Sequence, residues 1–96
     1  MTRLRRAARV DANQADLVRE FRGLGGLWVP AGHPIDAWCG WRGRWLAVEV
    51  KDGNKSPSRQ KLTDDQIEFI RTCTAYRLPV AVVTDIHELL TAFGSD

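Results

Sequence analysis

Asp36, Glu49 and Lys51 are the residues of this chain whose types and spacing suit a reaction. Glu49 and Lys51 are two apart in RWLAVEVK, residues 44–51, which alternates like a strand. Strand side chains alternate faces, so Ala47, Glu49 and Lys51 share one face and Val48 and Val50 the other. Two residues apart, a carboxylate and an ammonium lie within ~7 Å of each other. A hairpin turning at Arg42-Gly43 would bring Asp36 beside them as a third charged group. Such a set suits metal-assisted hydrolysis of a phosphodiester. A hard cation such as Mg²⁺ takes oxygen ligands, commonly one or two carboxylates with waters retained. Asp36 and Glu49 would supply them, with the Val50 backbone carbonyl as a further oxygen. Lys51 would orient or deprotonate a water, or neutralise charge on the scissile phosphate.

Seven elements must position these groups. Asp11 is a candidate N-cap for a helix running to about Leu24, with Leu17, Val18, Phe21 and Leu24 on its apolar stripe. Asn13, Asp16 and Glu20 lie on the adjacent flank. Gly23, Gly25 and Gly26 end that helix, and Leu27-Trp28-Val29 makes a short strand closed by Pro30. Residues 36–41 and 44–51 form the hairpin. Residues 52–61, DGNKSPSRQK, have loop composition. Thr63 with Gln66 is a capping-box pattern that opens a helix to about Tyr76, burying Ile67, Ile70 and Cys73. Residues 79–83, PVAVV, read as a strand covered on both faces. Asp85 caps a last helix from Ile86 to Phe93, with Leu89, Leu90 and Phe93 inward. The order α-β-β-β-α-β-α implies an α/β fold, a mixed sheet with helices packed on it.

Ninety-six residues make a single domain at 11–96, preceded by a basic arm at 1–10. The net charge is only +2, so its distribution matters more than its total. Arg3, Arg5, Arg6 and Arg9 crowd the arm, and Lys51, Lys55, Arg59 and Lys61 face a single Asp52 in residues 51–61, whereas no Lys or Arg follows Arg77. This asymmetry suits a basic surface facing a polyanion such as nucleic acid. Cys39 and Cys73 fall in apolar patterns and read as reduced core residues. No apolar run approaches the ~20 residues that span a bilayer, and the Arg-rich start lacks the apolar run of a secretory signal. A cytoplasmic location without membrane contact is expected.

With these motifs in place, the chain resembles the PD-(D/E)xK nuclease superfamily, through Pro34-x-Asp36 and, twelve residues on, Glu49-Val50-Lys51. It is more specifically similar to small stand-alone VRR-NUC domains, many of them encoded by phages and prophages. The likeness extends to Asp11-Ala12-Asn13-Gln14, Gly40-Trp41-Arg42-Gly43-Arg44, Asp52-Gly53, Pro57-Ser58, Leu62-Thr63-x-x-Gln66 and Val80-Ala81-Val82-Val83, and so runs over roughly residues 8–94. Ile35 separates Pro34 from Asp36, where the family usually joins them directly.

The resemblance implies a restriction-endonuclease-like fold, with Asp36 and Glu49 as metal ligands, Lys51 as the catalytic lysine and Gln66 near the site. It also implies an acidic ligand from the first helix, for which Asp16 stands in the matching place and Glu20 shares the flank. The expected activity is that of a Mg²⁺-dependent DNA endonuclease, with Mn²⁺ able to substitute, inside a bacterial host cell if phage-encoded. Arg42, Arg44, Lys55, Arg59 and Lys61, with the arm arginines, would hold the phosphate backbone. A chain this small has little surface to grip a duplex, which favours a homodimer. Relatives of this type are similar in outlook to Holliday-junction resolvases, which brings branched or junction DNA among the substrates. Trp28, Trp38, Trp41 and Trp45 fit core packing, a dimer interface or stacking on unpaired bases. The alternative is a non-catalytic nucleic-acid-binding module that has kept the fold.

Overall fold

The computed structural model describes residues 13–52 and 61–94; the arm at 1–10 and most of the basic loop, with Lys55 and Arg59, lie outside the described residues. Helix α1 (Gln14–Gly23) is followed by strands β1 (Leu27–Pro30), β2 (Ala37–Trp41) and β3 (Arg44–Val50), helix α2 (Asp64–Ala75), strand β4 (Val80–Val83) and helix α3 (Ile86–Ala92). The four strands form one mixed sheet in the order β1-β2-β3-β4. The first three pair antiparallel, and β4 returns parallel to β3 after the helical crossover.

The hairpin has the expected two-residue turn. Arg42 and Gly43 have φ of 51° and 77°, the primed conformation that matches the twist of paired strands. Register then fixes the faces. Ala37 pairs with Val48 and Cys39 with Leu46, and all four join Leu17, Phe21, Val50, Val83, Leu89 and Phe93 in the core beneath α1 and α3. Glu49 and Ala47 fall on the opposite face, toward α2, as the alternation requires.

That second face is thinly covered, which corrects two expectations. β4 is an edge strand, so Val82 is 42% exposed rather than buried on both sides. In α2 only Cys73 is buried, while Ile67 and Ile70 line a shallow apolar surface groove with Leu62. Of the four tryptophans, only Trp28 is fully in the core. Trp41 is half-buried, with its Nε1 donating to the Leu24 carbonyl at 3.2 Å, whereas Trp38 and Trp45 are exposed. Trp38 packs edge-on against Phe69 of α2.

Two caps behave as their residue types dictate. Thr63 and Gln66 form the full capping box, and the Asp85 side chain accepts from the Glu88 N–H at 2.8 Å. The N-cap of α1 is Asn13 rather than Asp11, and it makes no side-chain cap bond. Leu24, expected on the apolar stripe, is exposed at the C-cap. Pro30 closes β1 from within the strand, on the sheet edge, where a missing N–H is tolerated. Both cysteines are free and buried, and burial pushes the Cys39 thiol up to about 12, so it stays a protonated core group.

Candidate functional site

The site forms at the open end of the hairpin, where β2 begins and β3 ends. Ile35, 1% exposed, is the anchor that sequence reasoning passed over, an isolated apolar residue plugging the loop into the core. The next residue is thereby held against β3. Asp36 N–H donates to the Val48 carbonyl at 3.1 Å, and Asp36 Oδ2 accepts from the Val50 N–H at 2.7 Å. Extending the β2–β3 register by one residue sets Asp36 opposite Glu49. The N–H and C=O of one strand residue point to the same side, so the Val50 carbonyl faces the edge where Asp36 lies.

Glu49 is buried at 4% exposure, and its Oε1 has no hydrogen-bond partner among the described residues. Its Oε2 lies 3.3 Å from Lys51 Nζ, in an ion pair whose lysine side chain is only 14% exposed. Burial is the main cause that pushes the Glu49 carboxyl up to about 7, and the Asp36 charge adds to it. The Lys51 ammonium and the Gln66 amide pull the other way. A buried acid beside a second acid is costly to hold ionised, and a single lysine partner offsets only part of that cost.

Comparison with family models, curated proteins and solved structures gives no match for this chain. The site therefore rests on its own geometry.

Gln66 has two duties at one oxygen. Its Oε1 accepts from the Thr63 N–H at 3.0 Å, closing the capping box, and from Lys51 Nζ at 3.5 Å. The first turn of α2 thus brings its glutamine to the lysine while the capping box stays closed. Among the described residues no three His, Cys, Asp or Glu side chains gather closely enough to hold a metal ion. The donor set here is two carboxylates, one with an unpaired buried oxygen, and a backbone carbonyl. That set fits a hard cation that keeps several waters.

Other sequence-derived candidates lie elsewhere. Asp16 is exposed on α1 and ion-paired with Arg19, and Glu20 is exposed on the same helix. The helix packs on the opposite face of the sheet through Leu17 and Phe21, which explains why its acids face solvent. Lys61 is exposed just before α2.

Arg42 and Arg44 mark the turn end of the hairpin, roughly 20 Å along the strands from Glu49. The Arg42 guanidinium lies over the Trp41 ring, 4.3 Å from its centroid. Arg44 donates from Nη1 to the Phe93 carbonyl at 2.8 Å, tying the hairpin to the end of α3. Arg44→Ala is accordingly expected to lower stability by about 1 kcal/mol, read as a lower urea midpoint at unchanged slope. An unchanged midpoint would leave Arg44 to a purely surface role.

Asn13 has no role that the sequence alone assigns. Its Nδ2 donates to the Lys51 carbonyl at 3.2 Å and to the Thr84 carbonyl at 2.7 Å. The partners are 38 and 71 residues away, so local sequence patterns give no sign of them.

No helix among the described residues is long and apolar enough to cross a membrane.

Proposed function

We propose that this chain is a divalent-metal-dependent DNA endonuclease of the PD-(D/E)xK type, similar to the small VRR-NUC domains. The observation that carries this reading is the buried Glu49, with one oxygen unpaired and the other on Lys51, facing Asp36 across the hairpin. The mixed four-stranded sheet with helices on both faces supports a restriction-endonuclease-like arrangement.

Asp36, Glu49 and the Val50 carbonyl would hold Mg²⁺, or Mn²⁺ in its place. The cation supplies Lewis acidity toward a phosphoryl oxygen and acidifies water. The protein's own groups do the rest. The Val50 N–H fixes the Asp36 carboxylate, and burial keeps Glu49 dry and oriented. Lys51 Nζ donates into the phosphoryl oxygens as negative charge builds on them during attack by water. Gln66 steers that ammonium through its amide oxygen. Exposed Lys61, just before α2, would contact the phosphate backbone.

A homodimer acting on branched or junction DNA belongs to the same proposal. Leu27, Val29, Trp38 and Trp45 are exposed on the α2 face of the sheet and support a partner there.

The test is incubation with labelled duplex, flap and four-way-junction DNA in Mg²⁺, Mn²⁺ or EDTA, beside light scattering for oligomeric state. Cutting in either metal and none in EDTA is expected. Absence of cutting on every substrate defeats the reading, and tight binding without cutting favours the non-catalytic module.

A further inference from the structure

Lys51 stands one residue past the end of β3. Its backbone has two described ties. Its N–H donates to the Val83 carbonyl at 2.9 Å, and its carbonyl accepts from Asn13 Nδ2 at 3.2 Å. The same Nδ2 donates to the Thr84 carbonyl at 2.7 Å. One side-chain amide thus bridges the exits of two parallel strands.

Asn13 gives up local satisfaction to do this. It occupies the N-cap of α1, where an asparagine usually accepts from a free helical N–H, yet it makes no such bond. Its Oδ1 is buried and has no partner among the described residues. The amide cannot be turned round, because carbonyl oxygens accept only from its N–H groups. Its second anchor is rigid. Thr84 N–H and Oγ1 donate to Glu88 Oε1 at 2.6 and 2.9 Å, and the Glu88 N–H is held by Asp85. Lys51 is therefore tied to a braced turn.

We propose that Asn13 is a positioning residue of the site. By fixing the Lys51 carbonyl to the Thr84 turn, it sets where Nζ stands between Glu49 and Gln66. The clasp itself is independent of any reaction, while its effect on cutting rests on the nuclease reading. A displacement of about 1 Å at a reacting group can cost about 100-fold in rate.

The test compares Asn13→Ala and Asn13→Asp with the wild type, in the full chain at pH 8, at a temperature where circular dichroism shows all three folded. Asp keeps the shape and, ionised, has no proton to donate. Single-turnover cleavage in saturating Mg²⁺ is expected to fall roughly 10- to 100-fold in both variants, with DNA affinity in EDTA held within about twofold. Amide exchange at Lys51 is expected to accelerate by at least about tenfold while Val48 and Val50 keep their protection. Unchanged exchange at Lys51 overturns the clasp. Faster exchange with unchanged cleavage, or a rate loss matched by lost DNA affinity, overturns the positioning role. A wild type that cuts no DNA sinks the nuclease reading and Asn13's part in it, and exchange at Lys51 alone then decides the clasp.

Discussion

Lys51→Ala is expected to slow single-turnover, metal-dependent cleavage by roughly 10²- to 10³-fold, the scale seen when one preorganised donor to a transition-state oxyanion is removed. DNA affinity in EDTA should hardly change, because the Lys51 side chain is only 14% exposed and offers little to a bound backbone in the ground state. Lys51→Arg should not restore the rate. A planar fork cannot replace a compact ammonium that sits 3.3 Å from Glu49 and 3.5 Å from Gln66. Wild-type cutting by Lys51→Ala would remove this lysine from the chemistry and leave the ion pair as structure.

Glu49→Gln should separate stability from function in opposite directions. In the metal-free protein the Glu49 carboxyl ionises near 7 instead of 4.5. Its folded-state pKa lies above its unfolded value, so the stability it contributes is complete below about 4.5 and is lost as pH rises through about 7. Holding the ionised form therefore costs on the order of 3 kcal/mol at pH 8. An uncharged isostere avoids most of that cost. Glu49→Gln should melt several degrees above the wild type at pH 8 in EDTA, and close to it at pH 4.5. Added Mg²⁺ should raise the wild-type melting temperature at pH 8 and leave the variant unmoved, since a ligand stabilises only the form that binds it. A variant that melts lower than the wild type at pH 8 would show that the Lys51 ion pair outweighs burial and the Asp36 charge.

The sequence was most informative where pattern and chemistry are local. The Arg42-Gly43 turn, the Thr63–Gln66 capping box and the Asp85 cap each follow from residue types a few positions apart, and each is found. The face alternation of residues 47–51 follows from the pleat alone, and so does the meeting of Asp36 with Glu49 once the turn is set. Sheet order was less legible. Residues 79–83 have the apolar run of a covered strand, yet β4 ends up on an edge, because nothing in that run encodes how many strands follow. Ile67 and Ile70 have helical spacing that any packed helix would show, and the depth of burial depends on how closely α2 approaches the sheet. Asp16 sat at a plausible position along the chain, but its helix lies across the sheet from the acidic pair. Asn13 was hidden most deeply, since its partners belong to strand exits far along the chain.

The Arg42-Gly43 turn also bears on transplantation. Both acids and the lysine lie within sixteen consecutive residues, 36–51, closed by a two-residue turn, so the set could be moved to another sheet as one hairpin. What would not travel is its scaffolding. Gln66 comes from α2, Asn13 from the start of α1, and the covering for Glu49 from the rest of the fold. A grafted hairpin would keep Asp36 on the Val50 N–H, but it would expose Glu49 to water, return its acidity toward that of a surface glutamate, and leave Lys51 free to wander.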